Sequence, residues 1–179
     1  MKKFKFISIL LFFGVFLGCQ NQKEQENTLE KEFPEQDSVS VKENISQCYL
    51  FENGKDSIQL KFDLHENEVK GWMVYNFFEK DGSFGEIDGE FSGDTLKLEY
   101  AFLSEGMLSE QEVYFLKKGN QLFRGFGEMK MDVDSTMVYI QPNQISFEDT
   151  TPLTSMENCA EDFIDPKTIA FFKKEEEKN

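Results

Sequence analysis

Few residues in this chain could do chemistry, and most of them occur singly. There is one histidine, His65, one arginine, Arg124, and three cysteines, Cys19, Cys48 and Cys159. A Ser-His-Asp or Cys-His nucleophile system would have to be built on His65, and no glycine-flanked nucleophile turn accompanies it. His65 ends a stretch whose apolar residues, Ile58 to Leu64, hold the opposite parity, so it reads as a surface histidine. Acids are plentiful, and Asp81, Glu86, Asp88 and Glu90 share one Gly-rich stretch. Their spacing departs from a calcium loop, and Asp132-x-Asp134 reads as a polar turn. The expectation is a chain with no metal, no cofactor and no catalytic centre.

Arg124 is the sharpest candidate for a ligand contact. A turn over 118–120 places it opposite Tyr114, with Glu112 diagonal on the same face. If that face is outward, Arg124 and Glu112 form an ordinary surface ion pair. If it is inward, Arg124 is a charge that needs a carboxylate or an anionic ligand. The outward pair is the expectation, and Arg124, Glu112 and Tyr114 form the candidate ligand-binding set.

Residues of this kind need a scaffold, and the elements are legible in the turns. Asn53-Gly54, Glu66-Asn67, Asp81-Gly82, Gly93-Asp94, Glu105-Gly106, Gly119-Asn120 and Asp132–Asp134 punctuate the chain at a near-regular interval. Between them Ile58, Leu60, Phe62 and Leu64 alternate with polar residues, and Leu96, Leu98, Tyr100 and Phe102 do the same. This predicts eight strands, near 47–52, 56–65, 69–80, 84–91, 95–103, 110–117, 121–131 and 136–141. The fold class is all-β, an eight-stranded antiparallel up-and-down meander closing into a small barrel. An open twisted sheet is the alternative, and Gly85, Gly89, Gly125 and Gly127 mark bends in either. Asp165-Pro166 opens a short C-terminal helix carrying Ile169 and Phe172, and 173–179 read as a frayed tail. Trp72, Tyr75, Phe77, Phe78, Phe84 and Phe91 crowd one pair of hairpins, with the second face of strand 69–80 expected to pack under that helix.

The 179 residues carry a net charge of -15. Without the first eighteen, which hold three lysines and no acid, the remainder reaches -18. Charge of that sign disfavours nucleic acid as a partner. Lys2, Lys3 and Lys5 precede an apolar run from Ile7 to Leu17, too short for a good membrane span. Residues 20–46 are a polar, acidic spacer. The domain organisation expected is a signal over 1–18, a linker over 19–46, a globular domain over 47–172 and the tail.

Phe16-Leu17-Gly18-Cys19 resembles the lipobox of bacterial lipoproteins. The resemblance implies lipidation at Cys19 and membrane attachment through that lipid. Gln20, rather than Asp, after the cysteine implies outer-membrane sorting. Gln22-Lys23-Glu24 resembles the export signal of Bacteroidota surface lipoproteins, leaving periplasmic and surface locations open. With Cys19 lipidated, Cys48 and Cys159 remain as an even pair in an oxidising compartment and are expected to bridge. Buried free thiols or a thiol-active centre are the alternatives, the latter without a Cys-x-x-Cys.

Through Cys48-Tyr49, the strand 68–80, Gly93-Asp94-Thr95-Leu96 and Ser104-Glu105-Gly106, the globular part resembles small lipocalin-like Bacteroidota lipoproteins of unknown function. That group implies no catalytic residue. The function expected is a non-catalytic envelope module that binds a small ligand or a protein partner. The alternative is an inhibitor of a basic enzyme such as lysozyme, since lipid-anchored, disulfide-closed barrels with that role exist and an acidic body would draw a basic target.

Overall fold

The structure, a computed structural model, describes residues 45–148 and 151–178. The signal, Cys19, the sorting residues and the spacer up to residue 44 lie outside the described residues. Six long strands follow in succession: β1 (Ile45–Glu52), β2 (Ser57–His65), β3 (Glu68–Asn76), β4 (Ser83–Ser92), β5 (Thr95–Ser104) and β6 (Met107–Lys118). Each pairs antiparallel with the next, as alternation and turn spacing predict. The strand β1 begins two residues inside the stretch read as linker.

The later strands depart from the expected pattern. Instead of one strand over 121–131, β7 (Gln121–Arg124) stops short and β8 (Met129–Met131) forms separately. Gly125 and Gly127 lie in the break. The next strand, β9 (Thr136–Tyr139), pairs antiparallel with β8 and parallel with β6 at Glu110 and Gln111, filling the flank of β6 that β7 has left. The eighth stave is β10 (Leu153–Ser155), not 136–141. It lies antiparallel between β7 and β1. With β5 paired to β6, the ring β1–β7 plus β10 is closed, and β8 and β9 hang from its side. The fold is therefore an eight-stranded antiparallel, lipocalin-like barrel.

Alternation places one face of every stave inside. Tyr49, Leu60, Phe62, Met73, Ile87, Leu98, Tyr100, Val113, Phe115 and Leu122 are buried there in one cluster. The rings of Tyr49 and Phe62 stack at 5.9 Å, and those of Tyr100 and Phe102 at 4.8 Å. These side chains fill the lumen. The outer face carries charge, including Lys70, Glu86, Asp88, Lys97 and Glu99. That polarity is the reverse of a membrane-spanning barrel.

The helix α1 (Pro166–Glu176) is capped by Asp165, whose carboxylate accepts from the Lys167 amide at 2.9 Å. It lies on the outside of the barrel, as expected. Phe172 meets Trp72 edge-on at 5.6 Å and Phe171 approaches Phe84 at 6.0 Å. The helix runs through Glu176, past the point where the tail was expected to fray. Cys48 and Cys159 are disulfide-bonded, with Cα atoms 5.2 Å apart across 111 residues of sequence. Cys48 points outward from β1, and the bridge fastens the segment after β10 to it.

Candidate functional site

The candidate set Arg124, Glu112 and Tyr114 does not converge. Gly119 and Asn120 form a two-residue turn, with Gly119 at φ 63°, and Lys118 pairs with Gln121. A turn one residue longer would bring Tyr114 opposite Arg124. The actual register brings Phe115 there. A one-residue slip exchanges faces. Arg124 therefore shares the inward face with Phe115 and Leu122, while Glu112 and Tyr114 point outward. The expected Arg124–Glu112 surface pair is not formed.

Each member has other partners. Glu112 holds Lys97 at 2.9 Å and accepts from the Tyr139 amide at 3.0 Å, pinning β9 to the wall. The hydrogen bond from Lys97 to the Glu112 carboxylate holds the Lys97 ammonium above its ordinary pKa. Tyr114 packs edge-on against Tyr139 at 5.4 Å. Tyr139 donates to the Gly125 carbonyl at 2.9 Å, which fixes the chain where it leaves the ring. The guanidinium of Arg124 lies 5.1 Å from the ring centre of Tyr75 and 5.6 Å from that of Phe126.

A broad concavity lies outside the barrel. A groove of about 610 Å³ runs over the outer face of β4, β5 and β6 to the β8–β9 turn. Glu86, Asp88, Glu99, Glu110 and Glu112 line it from the wall, and Asp132 and Asp134 from the turn. Lys70 is the one basic residue in the lining, and it pairs with Asp88 at 2.8 Å. The turn is self-supporting, because the Asp132 carboxylate accepts the amides of Asp134 and Thr136 at 2.9 Å each. Thr136 in turn donates its hydroxyl to Glu110 at 3.0 Å. Antiparallel pairing brings the wall acids together: Glu99 sits directly opposite Glu112, and Asp88 opposite Glu99. Like charges placed so are unfavourable for the sheet.

The acidic wall was not assembled from sequence. Its signal was available: Glu86, Asp88, Glu99, Glu110 and Glu112 all hold outward parity on consecutive strands. His65 is exposed at the end of β2, as read. No family model, no curated protein and no solved structure matches the chain.

Proposed function

We propose that this chain is a lipid-tethered, non-catalytic binding module of the cell envelope that recognises a cationic partner on its outer wall. The observation that carries the reading is the contrast between lumen and wall. The lumen is occupied by buried aromatic and aliphatic side chains. The wall offers a groove in which seven carboxylates face one lysine. Acids that repel one another across a sheet reduce its stability, and a basic partner offsets that repulsion on binding. The charge of -18 that remains without the first eighteen residues steers such a partner from a distance. The lipobox resemblance at Cys19 supports the anchor and an outer-membrane location. The same wall supports the narrower reading of an inhibitor that docks on a basic enzyme such as lysozyme.

The test is association of the full-length protein with a basic lysozyme and with polylysine, measured across a salt series, alongside lysozyme activity. We expect binding that weakens as salt rises. We expect at least a tenfold loss in a Glu86→Lys/Glu99→Lys/Glu110→Lys variant, on the scale of removing several close charge pairs at an interface. Lysozyme inhibition selects the narrower reading. Absence of salt-dependent binding to both probes overturns the proposal. For the anchor, Cys19→Ser is expected to move the protein from the detergent fraction to buffer.

A further inference from the structure

Arg124 faces into the barrel, away from the acidic wall, and its surroundings are unusual for a charge. The chain has 34 acids, yet among the described residues none pairs with this guanidinium. Its Nε is buried and meets no hydrogen-bond acceptor. What it has instead are two aromatic faces, Tyr75 on β3 and Phe126 just past β7. Aromatic rings hold a guanidinium by its charge and its flat faces. They leave its fork of N–H donors for an acceptor with two oxygens. The residue as a whole keeps partial exposure.

The position suits a ligand. Arg124 ends β7, where the chain turns out of the ring at Gly125. Around it aromatic rings pack together, Tyr75 against Tyr100 at 6.0 Å and Tyr100 against Phe102 at 4.8 Å. Beside it Phe126 remains 51% exposed. An incoming molecule would therefore meet a cation flanked by aromatic rings, one of them exposed.

We propose that Arg124 anchors an oxyanion site where β7 leaves the ring, taking a small organic acid whose carboxylate or phosphate sits on the guanidinium while its apolar part rests on Phe126. The site is independent of the cationic partner proposed for the wall, because it lies on the other face of the sheet.

One arginine in the chain means one arginine Nε–Hε resonance, so the readout is direct. The full-length ¹⁵N-labelled protein is titrated with benzoate, with inorganic phosphate, and with chloride at matched ionic strength. We expect a saturable shift of the Arg124 Nε–Hε peak with benzoate or phosphate and none with chloride. The acid that saturates it identifies the head group the site takes. Arg124→Gln is expected to weaken the response of the Phe126 amide at least tenfold, and Arg124→Lys to weaken it less, since charge remains without the fork. If the glutamine variant fails to fold, the wild-type peak still decides. A peak unmoved by benzoate and phosphate, or moved equally by chloride, leaves Arg124 as a structural contact and overturns the proposal.

Discussion

Burial holds the phenols of Tyr49, Tyr100, Tyr114 and Tyr139 above their ordinary value of 10.0. The cause is the same at each: loss of water disfavours the phenolate. At Tyr100 the neutral form also serves the structure, because its hydroxyl donates to the Met73 carbonyl at 3.2 Å. The sign of the linkage follows. Above about pH 10 the unfolded chain releases tyrosine protons that the folded chain keeps, so stability present below that pH is lost as pH rises. Absorbance of phenolate, followed against circular dichroism in an alkaline titration, is expected to appear mainly with loss of the barrel. Free ionisation of most tyrosines near pH 10 with the dichroism intact would contradict the packing described. Arg124 shows the limit of reading residues singly. Its type and rarity were plain in the sequence, but its face depended on whether one turn held two residues or three.

Strands β1 to β6 were legible because each is long enough for alternation to repeat several times between turn signals. The stave β10 was not. Three residues, Leu153–Ser155, show no period, and their place in the ring comes from tertiary closure between β7 and β1. The break after Arg124 was only half legible: Gly125 and Gly127 announced a bend, but not that β9 would take the vacated flank of β6. Glycine also carries the clearest prediction at this scale. A Cβ built on Gly85 would overlap the Ala101 carbonyl on the paired strand, so the close approach of β4 to β5 excludes any side chain. Gly85→Ala is expected to cost about 3 kcal/mol or more by urea denaturation. Gly54→Ala, in an open turn at φ 86°, is expected to cost only about 1 kcal/mol. Similar costs for the two would mean that β4 and β5 are farther apart. The helix gives a second contrast. Phe172 is fully buried against Trp72, whereas Phe171 is 53% exposed. Phe172→Ala is expected to cost about 3–5 kcal/mol and Phe171→Ala under about 1 kcal/mol, measured the same way.

At the scale of the molecule, the barrel is closed by a thin seam. Between β1 and β10 only Tyr49↔Ser155 and Leu50↔Thr154 are paired, and between β10 and β7 only Leu153↔Leu122 and Thr154↔Gln121. The ladders between β2 and β6 are far longer. Two backbone bonds extend the seam, from the Ser155 amide to Asn120 and from the Met156 amide to Cys48, each 2.8 Å. Three residues beyond Met156 the chain is fixed to β1 by Cys159. The bridge therefore sits where noncovalent closure is weakest, and it spans 111 residues, so its effect on the unfolded chain is large. In the chain-entropy account that is on the order of 4–5 kcal/mol, or a fall in Tm of about 10–20 °C when the bridge is lost. Reduction, or a Cys48→Ala/Cys159→Ala variant, should also act unevenly. The amides of Ser155 and Met156 are expected to exchange hydrogen much faster while those of β3, β4 and β5 keep their order of protection, since the seam opens without the meander. Uniform loss of protection would show instead that ring closure is needed for the whole sheet, and an unchanged Tm would show that the two-pair ladders hold the seam alone.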